Sequence, residues 1–327
     1  MLQVGKRRMC FLNKLTLSAA LIIFNAPLLF AQSLAPRAYL ITPVDSNAFT
    51  VTTNLYHGGI LFDASVPLTD ASGTILLTVP AFYRALSFFG RSANVTVGFP
   101  YVVGSLQALV VNQRQSTYRS GLGDGVVRFS VNLIGGPAMK LPQFIKWKQK
   151  RLIGASIVVQ APTGQYDPRL LINIGNSRWA FKPEIGYSER HGKWLTDVYG
   201  AVWFFTATPD FFSHNKFVPG TQERTQEPIE VVEAHLSYDF KPRLWVSLDG
   251  NFWYGGRSSL NGVENRASLQ KNSRIGVTAS IPITKHQSLK FSYNRGAIIR
   301  FGGKYQAVAI GWQYSWIGGW LPKGIGD

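Results

Sequence analysis

Two runs of strict alternation, joined by one break, limit what this chain can become. Across residues 232–240, Val232, Ala234, Leu236, Tyr238 and Phe240 share one parity, and Glu233, His235, Ser237 and Asp239 share the other. After Lys241-Pro242-Arg243, Val246, Leu248, Phe252 and Tyr254 alternate with Ser247, Asp249 and Asn251. Successive side chains of a strand point to opposite faces, so these are two antiparallel strands, each greasy on one side and polar on the other. Both exceed a usual globular strand and meet the ~9–11 residues that a strand needs to cross a bilayer. The pattern predicts an all-β chain, a transmembrane antiparallel up-and-down β-barrel of about 12 strands.

The same parity sorting recurs along the chain. Expected strands cover residues 49–56, 94–99, 106–113, 127–133, 153–160, 178–187 and 194–205 before the hairpin. Three more follow it around Ile275–Ile281, Leu289–Tyr293 and Val308–Tyr314. Residues 57–91 read as a long irregular stretch, in which 81–89 forms a short helix or an extra strand. Residues 135–150 interrupt the rhythm, and Phe144-Ile145-Lys146-Trp147 reads as a short amphipathic helix or a loop at the membrane surface. Short connections at 100–104, 189–193, 241–243 and 283–287 alternate with long ones at 57–91, 161–177, 207–226 and 256–271. Outer-membrane barrels have short periplasmic turns and longer external loops, so both termini are expected on the periplasmic side. Residues 135–150 are the one long connection there.

A soluble sandwich buries its greasy faces inward and needs few aromatics at strand ends. Here Trp179, Tyr187, Trp194, Tyr238, Tyr254, Trp312 and Tyr314 sit on the greasy parity, as in the aromatic girdles of membrane barrels. Only a closed sheet leaves no unpaired edge in lipid.

The start of the chain reads as a secretory signal, residues 1–31. Lys6, Arg7, Arg8 and Lys14 precede an apolar run that ends at Ala31. The expected organisation is then a periplasmic lead or plug at 32–47, the barrel at 48–314 and a tail at 315–327. The one cysteine, Cys10, falls inside the signal, so the exported chain has no thiol or disulfide chemistry. Losing the four basic residues of that segment takes the formal charge from +17 to +13. For an exported barrel this charge suits lipopolysaccharide outside or a basic lumen inside, rather than nucleic acid.

The polar parity supplies the candidate functional residues, all expected to line the lumen: Arg128, Arg178, Lys182, Glu184, Asp197, Glu233, His235, Asp239, Asp249, Arg274 and Lys290. Such groups either latch together as a filling or line a path. His235 with Ser237 has the residue types of a base and a nucleophile, but no further member of a catalytic set stands out. The five histidines lack metal spacing, no phosphate-cradling glycine loop follows a parallel strand, and no cofactor or metal is expected. The loop Ala161-Pro162-Thr163-Gly164-Gln165-Tyr166-Asp167-Pro168 reads either as a loop folded over itself or as an external gate.

Several ordered patterns carry a resemblance. They are Pro36-Arg37-Ala38-Tyr39 with Thr42-Pro43-Val44, Phe89-Gly90-Arg91-Ser92-Ala93, and Asn132-Leu133-Ile134-Gly135-Gly136-Pro137-Ala138. Ala161-Pro162-Thr163-Gly164-Gln165-Tyr166-Asp167, Arg178-Trp179-Ala180-Phe181-Lys182-Pro183-Glu184, His235-Leu236-Ser237-Tyr238 and Asn272-Ser273-Arg274 follow. Together they resemble the outer-membrane transporters named for the meta pathway of phenol degradation. The resemblance implies passage of small, often aromatic, compounds and supplies no catalytic or ligand residues. One departure is the chain end, where Trp316 and Trp320 precede a tail ending Gly326-Asp327 rather than an aromatic, which blurs the signal for the barrel-assembly machinery.

The function expected is therefore a channel for passive passage of small, aromatic, phenol-like solutes. Its partners would be outer-membrane lipid and lipopolysaccharide, a small-molecule solute and the assembly machinery. The alternatives are a barrel hydrolase with His235 as base, and a closed structural or adhesive barrel.

Overall fold

The computed structural model describes residues 35–61, 68–110, 113–215 and 218–321. The expected signal, 1–31, lies outside the described residues. In chain order the elements are β1 (Ser46–Leu61), β2 (Leu68–Phe88), β3 (Arg91–Gly98), β4 (Tyr101–Val110), β5 (Gln113–Leu122), β6 (Val126–Ile134), α1 (Leu141–Lys146), β7 (Arg151–Gln160), β8 (Ala180–His191) and β9 (Trp194–Phe205). They continue with β10 (Arg224–Gln226), β11 (Ile229–Lys241), β12 (Leu244–Gly255), β13 (Ser258–Leu260), β14 (Val263–Asn265), β15 (Gln270–Pro282), β16 (Gln287–Ile299) and β17 (Gly302–Ile317). Among the described residues no helix is long and apolar enough to cross a membrane.

The strands close into a 12-stranded antiparallel cylinder in the order β1, β17, β16, β15, β12, β11, β9, β8, β7, β6, β3, β2, with β2 pairing back onto β1. Closure gives each of these twelve strands a partner on both sides, the condition lipid imposes, while β5 pairs with β4 alone. The hairpin of residues 229–255 pairs His235 with Asp249 and Leu236 with Leu248. Leu236 is 43% exposed on the outer wall, while neighbouring Ser237 is fully buried in the lumen. Parity thus sorts lipid from lumen, as the sequence predicts.

Two expected features are corrected. The stretch 57–91 is not irregular: β1 extends to Leu61, and the 21 residues of β2 fill most of the remainder. Residues 81–89 are accordingly strand, ending in a tight Phe89-Gly90 turn in which both residues have positive φ. The short connection at 100–104 is not a reversal. β3 pairs with the lower half of β2 and β4 with its upper half, both antiparallel, so β3 and β4 are one rising strand broken at Phe99-Pro100. β5 and β6 form the matching descent, broken at 123–125, which makes strand of most of the region 114–126 that reads as a loop. One strand overlooked and one counted twice leave the total at twelve.

The short turns, α1 and residues 35–45 share one end of the cylinder, here the turn end. The loops after β7, β9 and β12 crowd the other, the loop end, where β10, β13 and β14 add a small separate sheet. The strand pairing runs from Ser46 to Ile317, taking in Ser315, Trp316 and Ile317, which the sequence assigns to the tail. Leu248 stands 62% exposed in the middle of the outer face of β12. Leu248→Arg is expected to destabilise the barrel in lipid vesicles by ~2–4 kcal/mol. A urea midpoint equal to that of the parent would place this face out of the bilayer.

Candidate functional site: the lumen

At the turn end, residues 35–45 lie against the inner wall. The ring of Tyr39, 1% exposed, occupies a slot made by two glycines paired across β7 and β8, Gly154 and Gly186. A Cβ on either glycine would collide with the ring. The Tyr39 hydroxyl donates to Glu184 Oε1 at 2.9 Å and lies 3.1 Å from Ser156 Oγ. Ala38 N donates to the Tyr199 hydroxyl at 3.0 Å, and Arg37 N to Asp197 Oδ2 at 3.3 Å. The Arg37 guanidinium meets Asp239 at 2.7 Å and lies over the Trp245 ring at 4.3 Å. Just below, Ile41 packs with Met139 and Leu152 against Phe144 and Trp147. The stretch 144–147, which the sequence allows as helix or loop, is the end of α1 and its extended cap residue Trp147, and its aromatics brace the lead.

Beside the lead the lumen holds two overlapping cavities, of about 810 and 990 Å³, which share Pro36, Arg37, Thr50, Arg243, Lys290 and Gln313. Turn residues Gly192, Pro242, Lys285 and His286 rim them, so this vestibule opens at the turn end. Arg37, Arg190, Lys193, Lys241, Arg243 and Lys290 face the smaller cavity, with Asp239 as its one carboxylate.

A charged belt crosses the middle. Glu184 accepts from Lys182 Nζ at 2.8 Å and from Arg128 at 3.3 Å. Further along the wall, on β11, β12 and β15, Asp249 accepts from His235 Nδ1 at 2.9 Å, from Thr278 Oγ1 at 2.6 Å and from Ser247 Oγ at 2.5 Å. Glu233 lies 3.7 Å from His235 Nε2. The imidazole thus bridges two carboxylates and makes no hydrogen bond to Ser237, whose hydroxyl has no partner. Arg274 is bound by Asn294 and by the carbonyls of Tyr305 and Gly303.

At the loop end the connections pack on one another. Phe211, Phe212 and Leu260 pack with Leu171 and Val218, joining the loops after β7, β9 and β12. Ile172 reaches the opposite wall, where Tyr56, Ile75, Leu106 and Tyr305 form an apolar patch inside the barrel. The loop at 161–177 folds over itself, the first of the two readings the sequence allows, with Gly175 N donating to Gln165 O at 2.8 Å. On this loop Asp167 is held down to about 2 by its hydrogen bonds from Arg169.

All eleven expected lumen residues sit on the inner parity or in the loops that close it. Glu184 with Lys182 and Arg128 form one cluster; His235, Asp249 and Glu233 form another; Asp197 and Asp239 hold the lead; Arg178 stands alone beneath the loop cap. Sequence reasoning passes over Tyr39, Tyr199, Trp203, Trp253 and Arg224. The aromatics of this set on β9 and β12 break the rule that the inner parity is polar, which was the signal available for them. No cluster of metal-ligating side chains occurs among the described residues.

Greasy outside, charged inside and sealed by pairing of its first and last strands, the molecule is an outer-membrane β-barrel with the fold of a channel. The chain belongs to the family described as "Putative MetA-pathway of phenol degradation", whose profile matches residues 59–313. The structure is similar to that of the COG4313 outer membrane channel from Pseudomonas putida F1, with a TM-score of 0.69 at 18% identity, covering 87% of this chain and 100% of that one. A looser likeness, TM-score 0.49 at 10% identity, joins 83% of the chain to all of the β domain of the Bordetella autotransporter BrkA. Comparison with curated protein sequences gives no match.

Proposed function

We propose that the barrel passes small aromatic solutes across the outer membrane by diffusion, with no energy source. The observation that carries this reading is the vestibule, a lumen cavity of several hundred Å³ open at the turn end, beyond which come the charged belt and then the packed loops. A purely structural barrel has no need of such a space. Inside it, residues 35–45 act as a partial plug, and the loops joined at Phe211, Phe212 and Leu171 act as the external gate. The family's link to phenol degradation supports an aromatic cargo.

Cells carrying the gene should take up labelled phenolic compounds faster than cells lacking it. The purified barrel should also conduct in planar bilayers. Equal uptake rates together with a silent bilayer would leave the closed, structural alternative standing.

A further inference from the structure

Two buried guanidiniums under the loop cap have no acid to answer them. Arg178, just before β8, is 2% exposed, and Arg224, on β10, is 6% exposed. Neither makes an ion pair among the described residues, whereas half-buried Arg37 and Arg128 face Asp239 and Glu184. Arg178 donates one bond, to Gln226 Oε1 at 2.6 Å, and its second terminal nitrogen is unbonded. Arg224 Nε and one terminal nitrogen are likewise unbonded. Burial pushes the Arg178 guanidinium well below its ordinary range, and the charge of Arg224 adds to the effect. Burial, opposed by Tyr166, takes Arg224 down to about 10.

Asp124 is the one carboxylate that favours the charge on Arg178. Its oxygens are already taken by Gly164 N, Gln160 Nε2, Asn176 N and Asn176 Nδ2. An uncompensated buried cation is costly, and an arginine fork is shaped for a carboxylate. The surroundings add aromatic faces. Arg178 lies over Phe205 at 4.3 Å, Arg224 over Phe211 at 5.2 Å, and Phe205 stacks on Trp203, whose indole N–H is unbonded. The charged residues lining the smaller vestibule cavity at the other end are six cations and one carboxylate, so an anion entering from the turn end meets favourable potential.

We propose that Arg178 and Arg224 form a binding site for the carboxylate of a small aromatic acid, received between the loop cap and the Trp203-Phe205 wall. This rests on the transport reading and narrows it: the favoured solutes are organic anions, and neutral phenols pass less well.

The test uses the full-length refolded barrel in detergent, with benzoate and its neutral counterpart benzyl alcohol as probes, read by tryptophan fluorescence or calorimetry. Benzoate should bind saturably and about tenfold tighter than benzyl alcohol. Arg178→Gln and Arg224→Gln should each remove that preference and leave benzyl alcohol unchanged. Heat-dependent gel mobility reports whether each variant is folded. Should the glutamine variants not fold, Arg178→Lys and Arg224→Lys keep the charge and lose the fork, and a weakened benzoate preference is expected. The wild-type comparison needs no variant. Benzoate binding no tighter than benzyl alcohol would overturn the proposal, the free donors then being satisfied by water. That result with phenol uptake intact would leave the transport reading standing. Saturable benzoate binding with a silent bilayer would support the site and remove transport.

Discussion

Tyr39→Ala should raise the single-channel conductance of the barrel in planar bilayers several-fold. The ring is the deepest anchor of residues 35–45, filling the space that Gly154 and Gly186 leave empty. It also stands edge-on to Tyr199, with centroids 5.3 Å apart. Truncating a buried aromatic costs ~3–5 kcal/mol. A short segment held by a handful of hydrogen bonds has little reserve against such a loss. Since ~1.4 kcal/mol changes an equilibrium constant tenfold, the ratio of docked to released lead should fall by about a hundredfold or more. Gly186→Leu tests the same slot from the wall side, because its side chain would take the place of the ring. Conductance equal to the parent in both variants would show that the lead does not obstruct the pore.

Glu184→Ala should be the most destabilising single change in the lumen. Its carboxylate answers two cations, Lys182 and Arg128, and accepts from Tyr39. Removing one partner of a buried ion pair typically costs ~3–5 kcal/mol, because the charge left behind has lost its water and its counter-ion. Here two charges are left, in a barrel wall whose neighbouring inner positions, Ser156 and Gly186, carry no acid. The loss should appear as a lower urea midpoint and a lower temperature of gel-mobility change. Glu184→Gln keeps the shape and the acceptor for Tyr39, so it should retain the docked lead while losing most of the stability. Identical urea midpoints for the parent and Glu184→Ala would mean that the belt is hydrated and screened.

How much of this can be read from the residues varies along the wall. The hairpin at 229–255 is legible because its inner side chains, Glu233, His235, Ser237 and Asp249, are polar while Leu236 and Leu248 face out. β2 is hidden for the opposite reason. Its inward residues near the loop end, Ala71, Ile75 and Leu77, are apolar and pack on Tyr56 and Tyr305, while outward Ser72, Thr74 and Thr78 are polar, so its alternation runs opposite to that of the hairpin. Pro80 strengthens the misreading, since proline ordinarily breaks a sheet. It is tolerated at the level where the neighbouring strand is itself broken, between Gly98 and Tyr101, with Phe99 N donating to its carbonyl. The charged belt is foreseeable by parity. The docking of Tyr39 is not, because it depends on two glycines far along the chain whose single relevant property is an absent side chain.

The pairing of β1 with β17, from Ser46 opposite Ile317 to Leu61 opposite Gly302, has a consequence for how the molecule is made. The first hairpin to emerge cannot find its final neighbour until the very last segment has been synthesised and exported. Throughout that delay two ragged margins offer unsatisfied backbone to any other chain nearby, the ordinary route to clumping. Contacts between such remote segments also form slowly. A stop codon just before Gly302 should therefore yield an unsealed ribbon for the cell to degrade, and no smaller pore.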